Sequence, residues 1–245
     1  MRNPRVYVDL PLAEAGELLL PEAPSAHLLR VLRLRAGAPL TLFNGRGGEY
    51  QAELLGGSGR SARVRISAQR AVECESPLQL TLIQAISRGE RMDLVVQKAT
   101  ELGVTRIVPV NTEFGVVRLD ERQALRRRAH WQAIVIGACE QSGRNRVPEV
   151  AAIGAVADAI HGGGAGTSKL LLSPHAPTSL AAQAPGLRAA MLLVGAEGGF
   201  SEREVALALQ AGFVPCRLGP RVLRTETAPL AALALLQALA GDLGD

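Results

Sequence analysis

Apolar residues follow two different periods along this 245-residue chain, and the change falls near residue 75. Before that point the period is two. Pro39 to Phe43 alternates as a strand, Asn44-Gly45-Arg46-Gly47-Gly48 reads as a hairpin loop, and Glu49 to Leu54 returns. Ala62 to Ala68 alternates again, with Val64 and Ile66 on one face and Arg63 and Arg65 on the other. Ahead of these strands, Ser25 to Leu34 predicts a short helix with Leu28, Leu29 and Leu32 turned inward. The polar stretch Glu73 to Pro77 closes this β-rich unit, so the expected domains are residues 1–74 and 75–245.

From Leu78 onward apolar runs alternate with helical periodicity. Strands are expected at Leu78–Ile86, Arg106–Val110, Leu170–Ser173, Ala190–Val194 and Val214–Leu218. Helices are expected at Glu90–Leu102, Glu121–Cys139, Ser201–Ala211 and Ala228–Ala240. Met92, Val95, Val96, Ala99 and Leu102 form the buried stripe of the first helix, and Gly103 stands where a helix stop belongs. Continuous apolar strands separated by helices predict an α/β fold, a mainly parallel sheet with helices on both faces. The tract Gly162 to Gly166 reads as a surface loop.

Composition narrows this picture modestly. A hydrophobic fraction of 47% is enough to fill a core. The net charge of +4 permits an anionic partner without demanding one. Lys98 and Lys169 are the only lysines among 27 basic residues. An arginine bias suits RNA, but abundant Ala and Gly make genomic base composition the weightier explanation. Cys74, Cys139 and Cys216 are widely spaced, which fits reduced thiols and neither a disulfide framework nor a metal site. The opening residues lack the apolar core of a signal peptide, and Ala228–Ala240 is too short to span a bilayer. A cytoplasmic protein without membrane or metal is expected. Seven aromatic residues are too few for a broad base-stacking platform.

Two segments carry candidate chemistry. Leu192 to Arg203 reads LLVGAEGGFSER, an apolar strand, a turn with Gly195, Gly198 and Gly199 around Glu197, and a helix opened by Ser201. Glu204 stands three residues beyond Ser201, as a capping box requires. Leu218 to Ala228 again joins a strand to a helix, with Gly219 in the turn and Thr225 or Thr227 as the expected cap. Strand-to-helix turns at the carboxyl ends of parallel strands are where open α/β sheets bind ligands. Neither segment names the ligand. The glycines after His161 are no phosphate loop, because Lys169 follows Thr167 and Ser168 instead of preceding them, and no G-x-G-x-x-G follows a strand.

Five motifs in order resemble the bacterial RsmE family, 16S rRNA (uracil-N3)-methyltransferases of the SPOUT superfamily. They are His27 to Arg33, Gln97 to Val104, Glu140 to Arg144 with Val147-Pro148, Gly195 to Phe200, and Leu223 to Ala228. One departure is Ala196, where the family usually has proline. The resemblance implies a SPOUT-type trefoil-knotted parallel sheet preceded by a small PUA-like β-barrel, and a homodimer. It implies S-adenosylmethionine as cofactor and 16S rRNA or the small ribosomal subunit as partner. The cofactor would lie among three loops carrying Leu172 and Ser173; Gly195, Glu197, Gly198 and Gly199; and Leu218, Gly219, Val222, Leu223, Arg224 and Thr225.

Methylation of uracil N3 requires the weakly acidic imide proton to leave. Glu197 and Glu226 are the candidate carboxylates, and Arg144 and Arg224 the candidate cations. Arg224 is expected to organise the site and Arg144 to contact RNA or the target base. Arg30, Arg33, Arg35, Arg144 and Arg146 are the expected RNA contacts, while Arg126 to Arg128 read as a solvated helix face. Competing readings are a non-catalytic RNA-binding or ribosome-assembly protein, and a SPOUT enzyme acting on another RNA.

Overall fold

The computed structural model describes residues 3–58, 60–117 and 119–244. They form two compact units. The first comprises residues 1–75 together with 139–147, and the second residues 76–138 and 148–245. The segment 139–147 was expected in the second domain.

In the first unit, strands β1 (Arg5–Tyr7), β2 (Gly16–Leu19), β3 (Pro39–Phe43), β4 (Glu49–Ser58) and β5 (Ser61–Arg70) pair in the order β1-β3-β4-β5-β2. Among the described residues this path has two ends, β1 and β2, and does not close on itself. The β3–β4–β5 meander matches the alternation. Tyr50, Ala52 and Leu54 face Ala62, Val64 and Ile66 in the core, while Arg63 and Arg65 point outward. The helix α1 starts earlier than expected, at Glu22–Ala26, and continues through His27–Val31 as a wider π-helical turn. That turn breaks the 3.6-residue spacing. Leu28 is therefore fully buried and Leu29 packs against the core, but Leu32 is exposed.

Far-separated residues complete this unit. Arg5 donates to Glu49 and to Asn145 Oδ1, both at 2.6 Å, and Asn145 Nδ2 donates to the Val72 carbonyl at 2.6 Å. Arg144 pairs with Glu75 at 2.5 Å, with Nε also donating to the same carboxylate. These bonds hold Arg144 and Asn145 against β1 and the segment that follows β5. Beside them the buried Cys139 thiol is pushed up to about 12, chiefly by desolvation.

The second unit contains β6 (Gln79–Ala85), α2 (Arg91–Glu101), β7 (Arg106–Asn111), α3 (Glu121–Ser142, whose last turn belongs to the first unit), β8 (Glu149–Val150), β9 (Gly154–Ala155), α4 (Val156–Ala159), β10 (Ser168–Leu172), β11 (Thr178–Ser179), α5 (Leu180–Gln183), β12 (Ala189–Val194), α6 (Glu202–Gln210), β13 (Val214–Arg217) and α7 (Thr227–Ala240). The sheet order is β11-β13-β10-β12-β6-β7-β8, with β9 also on β7, and every pairing is parallel. Ile83, Ala85, Leu171, Met191 and Leu193 pack on one face against α4 and α6. Leu80, Leu82, Leu170 and Leu192 are buried on the other, where α7 reaches β12 and packs on α2. No helix among the described residues is long and apolar enough to cross a membrane.

Candidate cofactor pocket at the carboxyl edge of the sheet

Parallel pairing brings the carboxyl ends of β6, β7, β10, β12 and β13 to one edge, and the segments that follow β6, β10, β12 and β13 line the site. A pocket of about 690 Å³ opens there. Leu172, the last residue of β10, and Ser173 line it. Gly195, Glu197 and Gly199 line it after β12, and Leu218, Gly219, Val222, Leu223, Arg224 and Thr225 after β13. Of the residues assigned to the cofactor from sequence, Gly198 alone lies outside this lining. A Cβ on Gly198 would sit 2.9 Å from the Phe114 carbonyl oxygen, so this glycine is required for close packing of the β7–α3 loop.

Local chemistry explains each turn. Ser201 Oγ accepts from Glu204 N and Glu204 Oε2 accepts from Ser201 N, which is the capping box expected from the sequence. Glu204 Oε1 also accepts from Glu113 N at 3.0 Å, tying the β7–α3 loop to the start of α6. The turn with Ala196 in the family's proline position closes through a Gly199 N to Ala196 O bond of 2.9 Å, with Gly199 at φ +68°.

The expected cap on α7 is not formed. Glu226 occupies the N-cap position and makes no side-chain capping bond. Thr225 is committed elsewhere. Its hydroxyl donates to the Gly195 carbonyl at 3.2 Å and lies 3.0 Å from Ser87 Oγ, so one buried side chain joins the loops after β6, β12 and β13.

The charged groups form a cluster that sequence reasoning assembled only in part. Arg91, the first residue of α2, pairs with Glu197, and its Nε lies 3.8 Å from Glu226 Oε2. That Glu226 oxygen is buried and has no hydrogen-bond partner among the described residues. Arg91 was missed because its periodicity marks only a helix start. Its position at the start of the helix that follows β6 was the available signal. Arg224 lines the pocket and is exposed.

Arg144 does not line this pocket; it lies in the first unit with a side chain only 4% exposed, on Glu75. Arg30, Arg33, Arg35 and Arg146 are exposed residues of the first unit. Arg33 holds a left-handed φ of +52°, and Arg146 reaches Glu73 at 3.9 Å. On α3, Arg126 and Arg127 are exposed as expected, whereas Arg128 Nε donates to the Val150 carbonyl at 2.8 Å.

Comparison with known proteins agrees with this architecture. The RNA methyltransferase domain family matches residues 74–237, and the RNA methyltransferase PUA domain family matches residues 21–67. Ribosomal RNA small subunit methyltransferase E of Buchnera aphidicola is 33% identical over 242 residues, covering 99% of this chain and 98% of that protein. The crystal structure of the enzyme of that name from Neisseria gonorrhoeae, bound to S-adenosyl methionine, is 44% identical with a TM-score of 0.94, covering 98% and 99% of the two chains. A methyltransferase from Legionella pneumophila, solved in complex with the same cofactor, is 40% identical with a TM-score of 0.93, covering 99% and 100%. With both of its parts matched and nearly its full length shared, this chain belongs to the ribosomal RNA small subunit methyltransferase E family.

Proposed function

We propose that this protein transfers a methyl group from S-adenosylmethionine to N3 of a uridine in the 16S rRNA of the small ribosomal subunit. The observation that carries the reading is the pocket of about 690 Å³ at the carboxyl edge of the sheet, within the roughly 300–1,000 Å³ range of small-molecule sites.

The residues present fit the cofactor. Gly199 and Gly219 line the pocket at φ +68° and +96°, and a Cβ on either would meet no protein atom within 4 Å, so a ligand can approach their backbone closely. Leu172, Val194, Leu218 and Leu223 offer an apolar wall to an adenine ring. Glu197 and Glu226 place carboxylates where a sulfonium cation is favoured. When bound, S-adenosylmethionine supplies an electrophilic methyl group.

The chain's own residues do the rest. The loops hold the acceptor in line, and alignment of this kind contributes up to roughly 7–11 kcal/mol in favourable cases. A carboxylate of the Glu197–Arg91–Glu226 cluster would take the N3 proton, so that the nitrogen electron pair can bond the methyl carbon as its bond to sulfur breaks. Arg224 organises the β13 loop around the reacting groups. Arg144, held by Glu75, fixes the segment that carries Arg146.

Arg30, Arg33, Arg35 and Arg146 contact rRNA phosphates in this reading. Affinity for small subunits then falls as salt rises, and replacing any one of the first three by alanine lowers the log–log salt slope by about one unit. A slope unchanged in all three variants removes this surface from the RNA interface. The reading also carries a trefoil knot in the second unit, a homodimer and a cytoplasmic location.

Gly219→Ala forces a side chain onto a left-handed backbone at the pocket wall. We expect S-adenosylmethionine affinity to drop about tenfold, measured by calorimetry. Unchanged affinity would mean that the cofactor does not approach this backbone. The decisive experiment is mass spectrometry of 16S rRNA from a strain lacking the gene. Loss of one 3-methyluridine, restored by the gene, is the expected result. An intact mark overturns the proposal, and failure to bind S-adenosylmethionine favours a non-catalytic RNA-binding protein.

A further inference from the structure

A second cavity, of about 650 Å³, shares Arg91 and Glu197 with the cofactor pocket. Its remaining walls are Arg88, Gly89 and Glu90 from the loop after β6, Phe114 and Val116 from the loop after β7, and Gly198. Phe114 is 56% exposed, an unusual position for one of only four phenylalanines in the chain. It is nevertheless firmly placed. The Glu113 amide bonds Glu204 on α6, the Gly115 amide bonds the Thr112 carbonyl at 3.0 Å, and the Phe114 backbone packs on Gly198 so closely that a Cβ there would not fit. Arg88 is exposed beside it and makes no ion pair among the described residues.

The lining charges cancel, with Arg88 and Arg91 against Glu90 and Glu197. Such a cavity suits a neutral polar ring better than a phosphate. An exposed aromatic face and a guanidinium are the groups that hold an unstacked base, one by stacking and the other by donating to a carbonyl oxygen. Resting on the function proposed above, we propose that this second cavity receives the acceptor uracil. Phe114 lies against the ring face, Arg88 donates to a ring carbonyl, and N3 is turned toward the Arg91–Glu197 wall that both cavities share.

The test uses small ribosomal subunits from a strain lacking the gene, with wild-type protein, Phe114→Ala and Phe114→Tyr compared in parallel. For Phe114→Ala, kcat/KM for methyl transfer should fall about 10- to 100-fold, the effect of losing one base–aromatic stack. Its S-adenosylmethionine affinity should be unchanged, and Phe114→Tyr should recover most of the activity. Irradiation at short ultraviolet wavelength should cross-link a uridine to the peptide carrying Phe114 in the wild type and not in Phe114→Ala. Wild-type transfer matched by Phe114→Ala, or cross-links confined to other peptides, overturns this inference and leaves the cofactor reading standing. A wild-type protein that methylates no 16S rRNA overturns both.

Discussion

Arg144→Ala should destabilise the protein by about 3–5 kcal/mol, the range for removing one partner of a buried ion pair. The Arg144 side chain is 4% exposed and that of Glu75 16%, so the abandoned carboxylate has little access to water. The loss spreads beyond one contact. Arg144 belongs to the polar cluster in which Arg5 reaches the Arg144 carbonyl and Asn145, and Asn145 reaches Val72. Urea denaturation should show a lower midpoint with an unchanged slope. Cofactor affinity should survive at temperatures where the variant remains folded, because Arg144 is absent from the pocket lining. A variant with wild-type stability and no methyl transfer would instead return Arg144 to the reacting base.

Arg91→Ala should lower kcat for rRNA methylation by about 10²–10³-fold, the cost of removing one preorganised donor from a reacting site. Arg91 is the only cation paired with both Glu197 and Glu226 among the described residues. Without it the Glu226 oxygen that is already buried and unbonded loses its neighbouring charge, and Glu197 loses the partner that sets its direction. Because the effect is one of position and charge together, Arg91→Lys should restore only part of the rate. Steady-state kinetics should place the defect in kcat more than in KM for the cofactor. Full kcat in Arg91→Ala would remove this ion pair from the mechanism.

These two arginines mark the limits of reading the chain unaided. Periodicity located β6, β7, β10, β12 and β13 to within two residues at their ends, because a strand buried on both faces must be apolar throughout. The Ser201–Glu204 capping box was equally legible, since both of its bonds are made within one helical turn. The short edge strands β1 and β2 were not. Three and four residues are too few to display a period, and β2 is largely exposed. Thr225 was legible as a polar residue before a helix, but its actual partners, Gly195 and Ser87, lie 30 and 138 residues away.

The sequence alone thus determined the long strands and helices, the two glycine turns and the family motifs, all of which depend on neighbours a few residues apart. Tertiary structure alone decided that residues 139–147 join the first unit, that Arg144 meets Glu75 across 69 residues, and that Arg91 meets Glu197 across 106. Local pattern reports which face of an element avoids water. It does not report which distant charge arrives to compensate a buried one, and that pairing is what ties the segments after β6, β12 and β13 into a site.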